Sequence, residues 1–282
     1  MVKGSRLAFA LLTTVFIFVL AASTPAFDSL REKTRTLQLI SQVKNPEIRL
    51  ELKQNVLLGN IDSYEKLENI VVTYLEDTEE KDRKLKRELG LILSDGYVSL
   101  GYRQARQAFF SDIDNIDGKV QCIYTGKLVT TSGIPNVNDM NTEHSWPQSF
   151  FNKKEPMRSD IHHLFPTDTR SNSQRGRYPF GEVIGTPFWE KGGSRLGRNQ
   201  FGNVVFEVRP DHRGDTARAM FYFSIRYNRS IDYKQETTLR RWHKDDPVSD
   251  YEIMRNNGIE RYQKNRNIFV DQPDQVDKIS DF

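Results

Sequence analysis

The stretch "NTEHSWPQSFF", residues 141–151, places a carboxylate beside an imidazole at Glu143 and His144. Side chains of neighbouring residues on a β-strand point to opposite faces of the sheet. Two adjacent residues can still serve one site where the strand ends and the pleat is lost, and Pro147 is consistent with such an end. The stretch therefore predicts a strand end that carries two chemically active side chains. The alternative is an exposed carboxylate beside a partly buried histidine.

A second polar stretch follows, "MRSDIHHLFPTDTRSNSQRGRYPFGEV" at residues 157–183. With His144 it brings three of the chain's histidines close together in sequence, and histidine is the side chain best suited to accept a proton near neutral pH. Carboxylate and amide oxygens are hard ligands that suit Mg²⁺ or Ca²⁺. Asn172 and Arg175 would share one face of a helix. A cation on oxygen ligands, a neutral imidazole and a guanidinium together fit the hydrolysis of a phosphodiester.

The N-terminus has the layout of a secretory signal peptide: two basic residues, an apolar run over 7–22, then small residues. We expect residues 1–26 to be removed, and cleavage after Ser23 or after Ala26 fits equally well. The alternative is a retained membrane anchor, because a span needs only ~17 apolar residues. A secreted or periplasmic location is expected, with no stable membrane association after cleavage.

Composition excludes some classes of protein. The formal net charge of +3 falls to about +1 once the two basic residues of the signal leave, so any basic surface for nucleic acid must be local. Cys122 is the single cysteine, so this exported chain has no intramolecular disulfide. Stability must therefore come from packing, helped by bound metal. We expect the protein to be a monomer.

The pattern of apolar residues predicts an α+β fold that is mostly helical. Residues 28–95 favour about three amphipathic helices, and the mixed charge runs there indicate solvated helix surface. Residues 118–146 have β-branched runs broken by Gly, Pro and Asn, which predicts short strands. Residues 165–205 are expected to be basic and rich in loops. Further helices are predicted over 102–110, over 215–228 with Asp215 or Thr216 as cap, and over 249–265 with Ser249 or Asp250 as cap.

Five blocks resemble, in order, the endonuclease I family of exported nucleases. They are "NTEHSWPQSFF", "MRSDIHHLFPTD", "NSQRGRYPFGEV", "DTARAMFYFSIRY" and "WHKDDPVSDYEIMRNNGIERYQKNRN". The resemblance covers roughly residues 90–272, while 27–85 matches nothing we can place. It implies three segments: a signal peptide at 1–26, an N-terminal helical extension at 27–88 and an endonuclease I-like nuclease domain at 89–282.

The resemblance also implies a ββα-metal core, or His-Me finger, in which two antiparallel strands and a helix hold one divalent cation. His144 would be the general base, and Glu143 and Asn172 would bind Mg²⁺, with Mn²⁺ or Ca²⁺ as alternatives. The substrate would be DNA, with RNA as a second substrate, cut with little sequence specificity to products with 5′-phosphates.

Other residues have lesser expected roles. Asp160 and His162 would hold the finger by hydrogen bonds, and Arg175 would be either a catalytic phosphate contact or a structural salt bridge. Family members carry a phosphate-binding arginine on a loop that this chain lacks, and nearby cations could replace it. Residues expected to bind nucleic acid are Lys153, Lys154, Arg158, Arg177 and Arg218, with Arg213 and Arg226 as further candidates on a helix.

Two other functions compete with the nuclease. One is an exported nucleic-acid-binding or scaffold protein with a non-catalytic finger, but such a protein needs none of Glu143, His144 and Asn172. The other is a zinc hydrolase that uses His144, His162 and His163. The chain has no H-E-x-x-H pattern, and adjacent histidines on a strand would diverge.

Overall fold

The structure is a computed structural model that describes residues 30–282, so the predicted signal peptide at 1–26 lies outside the described residues. Within that range, no helix is both long and apolar enough to cross a membrane. The chain divides into two compact units, of which the first ends at Lys81 and the second runs from Asp82 to Phe282.

Three helices confirm the helical prediction for the N-terminal part: α1 (Leu30–Ser41), α2 (Pro46–Leu57) and α3 (Tyr64–Ser94). Helix α2 begins where it does because the Asn45 side chain accepts hydrogen bonds from two amides of its first turn. The first unit has its own small core of aliphatic side chains contributed by α1, α2 and the first turns of α3. Its buried members are Leu39, Ile40, Val43, Leu52, Val56, Ile61, Leu67 and Val71.

The second unit is α+β, with three small antiparallel sheets among helices. The first sheet contains β1 (Asn115–Ile116), β2 (Lys119–Gln121) and β3 (Leu128–Thr130), the second β4 (Asn141–His144) and β5 (Leu164–Thr167), and the third β6 (Trp189–Lys191), β7 (Ser194–Arg198) and β8 (Val204–Glu207). The helices are α4 (Tyr102–Ala108, continued by a π-helical turn at Phe109–Ile113), α5 (Thr169–Arg175), α6 (Arg213–Tyr227), α7 (Tyr233–Asp245), α8 (Asp250–Gln263), α9 (Ile268–Asp271) and α10 (Gln275–Lys278).

Helix α6 lies in the middle of the second unit. Every residue from Gly214 to Ile225 is buried, and Phe221 and Phe223 are completely enclosed. The helix begins at Arg213, so Asp215 lies inside its first turn and is not the predicted cap. Helix α8 begins at the predicted cap, Ser249. The Ser249 side chain and the side chain of Glu252, in the first turn of the helix, form a capping box.

The hairpin β4–β5 and helix α5 bring the polar stretches together. The two strands pair antiparallel, with Glu143 opposite Phe165 and His144 opposite Leu164. Helix α5 follows β5 after a single residue, Asp168, whose carboxylate caps the helix by accepting from the Ser171 amide at 2.9 Å. Strands β4 and β5 and helix α5 thus form a compact strand–strand–helix motif, with the Glu-His pair at the end of β4.

Candidate active site

The Glu-His pair lies where strand β4 ends. His144 is the last residue of the strand, and Glu143 and His144 are only 3% and 6% exposed. Because both side chains are enclosed by the second unit, neither is a surface charge. The expected strand end is therefore observed, and the alternative of an exposed carboxylate at Glu143 is wrong.

One nitrogen of His144 is fixed by the backbone. Nε2 lies 3.1 Å from the carbonyl oxygen of Arg158, and a carbonyl can only accept, so Nε2 carries the proton and Nδ1 keeps its lone pair. The ring stacks on Tyr102 with centroids 5.7 Å apart and meets the edge of His163. Burial, followed by the nearby His163, lowers the pKa of His144 to about 3. The imidazole is thus neutral near pH 7 and oriented to accept a proton at Nδ1.

Glu143 is a buried carboxylate whose hydrogen bonding is incomplete. Its Oε1 has no hydrogen-bond partner among the described residues and lies 3.5 Å from Nε of Arg175. Burial raises the pKa of Glu143 to about 7, although the Arg175 charge opposes that rise. The hydroxyl of Tyr124 is buried beside both side chains and helps to lower the pKa of Glu143, but no hydrogen bond of normal geometry joins it to either of them. Such a cluster of unpartnered polar atoms needs a ligand or water to complete it.

Asn172 projects from helix α5 toward strand β4. Its Nδ2 donates to the carbonyl oxygen of Thr142 at 3.1 Å, so the amide group is tied to the residue that precedes Glu143. This bond fixes which end of the amide is the nitrogen, and it leaves Oδ1 as a free acceptor. Asn172 is half-buried, so that oxygen remains within reach of solvent.

The oxygens of Glu143 and Asn172 could form part of a site for a hard divalent cation. A buried, unpartnered carboxylate oxygen gains most from a cation, and an amide oxygen is a suitable companion. Within residues 30–282, no three side chains of His, Cys, Asp or Glu are grouped so as to hold a metal ion. A cation here would therefore keep most of its coordination for water and substrate, as Mg²⁺ does.

Arg175 is 1% exposed and its donors face the protein. Nη2 donates to the carbonyl of Ser145 at 3.1 Å, Nη1 donates to the carbonyl of Tyr178, and the guanidinium lies 4.0 Å from the ring centroid of Phe180. Of the two roles expected for Arg175, this placement agrees with the structural salt bridge. It disagrees with a direct phosphate contact, since a fully buried guanidinium cannot reach a phosphate in solvent.

These positions coincide with a sequence match to known nucleases. Residues 80–274 match the family described as Endonuclease I. The chain belongs to the endonuclease I family. It is 35% identical over 231 residues to an extracellular ribonuclease of Bacillus subtilis, and the aligned region covers 73% of this chain and 78% of that protein. It is also 29% identical over 125 residues to an extracellular deoxyribonuclease of Aeromonas hydrophila, over 41% of this chain and 50% of that protein.

In this endonuclease, Asp160 is a fully buried anchor. Its carboxylate accepts from the Tyr222 hydroxyl at 2.9 Å, the Tyr227 hydroxyl at 2.7 Å, Arg226 at 2.8 Å and Gln263 at 3.0 Å. Burial raises the pKa of Asp160, but Arg226 and the other donors outweigh it and hold the pKa well below its usual range. The carboxylate therefore stays ionised and ties the segment before β5 to α6 and α8.

The Nε2 atoms of the two neighbouring histidines, His162 and His163, are hydrogen-bonded to backbone carbonyls. Nε2 of His162 is 3.3 Å from the carbonyl of Asn265, and Nε2 of His163 is 2.6 Å from the carbonyl of Met157. Burial lowers the pKa of each to about 4. No three side chains of His, Cys, Asp or Glu in the described part of the chain are grouped so as to hold a metal ion, so the structure does not support the zinc site expected from His144, His162 and His163.

The basic residues divide into two groups. Lys153, Lys154 and Arg177 are exposed, and Arg158 is half-buried with its guanidinium 4.3 Å from the ring centroid of Tyr102. Lys153 and Arg158 are close enough to His144 for their charges to lower its pKa further. These four side chains lie where a polyanion could meet them.

The arginines of α6 do not agree with their expected role. Arg218 is 1% exposed and forms a two-pronged bond with the Glu252 carboxylate, with both N···O distances 2.6 Å. Arg226 pairs with Asp160, and Arg213 with Glu207. Arg218 is therefore not placed to bind nucleic acid, and Arg213 and Arg226 each have a carboxylate partner inside the protein.

Tyr102, Tyr124 and Thr142 were not expected from sequence. Tyr102 stacks on His144, Tyr124 faces Glu143, and the Thr142 backbone orients Asn172. No sequence pattern marks a tyrosine as the neighbour of a residue distant in the chain. The nearness of Thr142 to the Glu-His pair was the one available signal.

Proposed function

We propose that this chain is an exported, metal-dependent endonuclease that hydrolyses phosphodiester bonds with little sequence specificity and leaves 5′-phosphates. The observation that carries the proposal is His144, a buried neutral imidazole whose Nε2 is held by the Arg158 carbonyl and whose Nδ1 is free to take a proton. Strands β4 and β5 with helix α5 would form the ββα-metal finger that the family resemblance implies.

His144 acts on the attacking water. Nδ1 takes a proton from the water as its oxygen forms a bond to phosphorus, and the bond from phosphorus to the 3′ oxygen breaks. Because burial keeps the pKa of His144 near 3, the base is unprotonated over the whole neutral range. The departing 3′ oxygen takes a proton from solvent and becomes a 3′-hydroxyl, His144 returns its own proton to solvent, and the phosphate stays on the 5′ end of the downstream fragment.

Glu143 and Asn172 hold the divalent cation, which we assign as Mg²⁺, with Mn²⁺ or Ca²⁺ as alternatives. When bound, the cation supplies positive charge opposite the phosphate and the leaving oxygen. Arg175 acts as a positioning residue: it partly balances the Glu143 charge and ties α5 to the Ser145 carbonyl beyond β4. Asp160 and His162 keep the segment before β5 in place.

The substrate is nucleic acid, read through its phosphates. Exposed cations such as Lys153 and Arg177 would contact phosphates, which position a strand without reading its sequence. We propose that RNA and DNA are both cut. The names of the relatives support this breadth, since one group is called ribonuclease and the other deoxyribonuclease.

Location and domain limits follow the same proposal. Relatives are named extracellular or periplasmic, which supports export of this chain by residues 1–26. We assign 27–88 to a helical extension and 89–282 to the nuclease, acting as a monomer. The compact second unit begins at Asp82, a few residues before that boundary.

The test is cleavage of supercoiled plasmid and of a structureless RNA by the mature protein, with Mg²⁺ or with EDTA. His144→Ala should lower the rate by about 10² to 10⁴-fold, and EDTA should abolish cleavage. His243→Gln is the matched control, because His243 lies on α7 and bonds with Arg218, away from the finger. Cleavage that survives in His144→Ala, or a folded wild-type protein that cuts nothing with any of the three cations, would refute the proposal. The second result would favour the nucleic-acid-binding alternative.

A further inference from the structure

A second polar cavity lies in the second unit, outside the catalytic residues. It has a volume of about 390 Å³ and is bordered by the loop 199–203, the start of helix α7 and residues 182–184. No role has been given to it so far. Its lining combines two aromatic rings, Phe201 and Tyr233, with two cations, Lys234 and Arg241.

Two exposed aromatic rings line this cavity: Phe201 is 56% exposed and Tyr233 is 75% exposed. Single exposed apolar side chains are common and need no explanation. Here two rings border one cavity, and the ammonium of Lys234 lies 4.7 Å from the centroid of Phe201, within the range of a cation–π contact.

The loop that presents Phe201 is held in one conformation. The Asn199 side chain accepts from the amides of Phe201 at 3.0 Å and Asn203 at 3.1 Å, and Arg198 donates to the Gly202 carbonyl at 2.6 Å. The ring is therefore presented by an ordered turn, so a ligand that stacks on it need not first order the loop.

The charge at the cavity favours an anion. Within the described part of the chain, no carboxylate lies within salt-bridge distance of Lys234. Arg241 pairs with Glu182 at 2.6 Å, but both side chains are about half exposed, and such a pair contributes little. A phosphate can compete for Arg241, so the lining has two cations, Lys234 and Arg241, against one carboxylate, Glu182.

A chain of contacts links this cavity to the candidate active site. Glu143 lies 3.5 Å from Arg175, whose guanidinium lies 4.0 Å from the ring centroid of Phe180. The amide of Phe180 donates to the Gln235 side chain at 2.8 Å, and Gln235 is two residues from Tyr233. These contacts connect the border of the cavity to the candidate active site through largely buried side chains of the second unit.

We propose that this cavity is a subsite for single-stranded nucleic acid, in which bases stack on Phe201 and Tyr233 while Lys234 and Arg241 contact phosphates. Cationic grooves with aromatic platforms bind single strands because every base has a face that can stack. A duplex keeps its bases paired and offers only phosphates here. The inference rests on the proposed function and makes single strands the preferred substrate.

The test measures binding without cleavage. Fluorescence anisotropy in EDTA would give Kd for a labelled single-stranded DNA and for the same strand with abasic sugars. Phe201→Ala/Tyr233→Ala should weaken binding of the intact strand by at least about tenfold, since stacking on each ring contributes about 1 kcal/mol or more. The variant should bind the intact and abasic strands equally, while the wild type prefers the intact one.

Two controls complete the experiment. Leu58→Ala removes an equally exposed apolar side chain from the first unit, 75% exposed, and should keep wild-type Kd. Phe201→Trp/Tyr233→Trp keeps the stacking surfaces and should restore tight binding. Unchanged Kd in the double alanine variant, an equal loss for the intact and abasic strands, or no measurable binding by the wild type would overturn the inference. A wild type that binds in this manner but does not cleave with Mg²⁺ would refute the nuclease and leave the subsite standing.

Discussion

Glu143→Gln is expected to stabilise the metal-free protein at alkaline pH while it abolishes cleavage. Burial raises the pKa of Glu143 to about 7, against about 4.3 in an unfolded chain. The folded state thus holds this proton more tightly than the unfolded state. Stability from Glu143 is complete below about pH 4.3 and is lost as the pH rises through about 7, a total of about 4 kcal/mol at 1.36 kcal/mol per unit of pKa.

The measurement is urea unfolding of the wild type and Glu143→Gln in EDTA at pH values on both sides of that window. The attraction between the Glu143 anion and Arg175 is already contained in the pKa of about 7, so it needs no separate correction. From about pH 5 to about pH 8, the variant should gain about 3 kcal/mol relative to the wild type. Parallel stability curves would refute the reasoning, because Glu143 would then have an ordinary pKa in the folded protein.

Adding Mg²⁺ extends the same experiment. At about pH 8 the metal should raise the unfolding free energy of the wild type by about 2.7 kcal/mol at a concentration of 100 times Kd. It should leave Glu143→Gln nearly unchanged, since an amide replaces the anionic ligand. Equal stabilisation of both proteins would place the cation elsewhere.

Three further results are expected. In urea unfolding, Asp160→Asn should lower stability by about 3 to 5 kcal/mol, because it leaves Arg226 buried without its anion. The control is Asp112→Asn. It breaks an exposed ion pair and should cost less than about 1 kcal/mol. Since Asp160 has a pKa well below its usual range, its contribution is present above about pH 3.9 and fades as the pH falls, so the two Asp160 curves should converge in acid; curves that stay apart would contradict this. Asn172→Ala should raise the Mg²⁺ concentration for half-maximal cleavage by at least about tenfold, and Lys153→Ala should reduce the slope of log affinity against log salt by about 0.7 to 0.9 in binding titrations.

Local signals predicted much of the fold. The capping box at Ser249 acts over a few residues, so sequence reveals the start of α8. The sheet β6–β8 was missed within the expected loops of 165–205, because its strands have three to five residues and contain Arg and Gly. Helix α7 was also missed, since its buried face has few apolar residues among many charges.

The site was predictable as residue types and unpredictable as contacts. Glu143, His144 and Asn172 could be singled out because their chemistry is unusual at that spacing. The carbonyl of Arg158 that orients His144 has no signature in sequence, because every residue has a carbonyl. The partner of Arg218 lies 34 residues away at Glu252, and no local pattern reports such a pair, so its burial could not be foreseen.

The hydrogen bonding of the buried acids separates the candidate site from the rest of the nuclease unit. Glu252, Asp160 and Asp114 each accept from a buried arginine at 2.6 to 2.8 Å and from further donors. Glu143 is buried as deeply, yet Arg175 is 3.5 Å away and Oε1 has no hydrogen bond. A protein core that satisfies its other carboxylates so fully leaves one unsatisfied only at a cost in stability. That cost is understandable where the missing partner is supplied from outside, and this is the strongest physical reason to place the cation at Glu143.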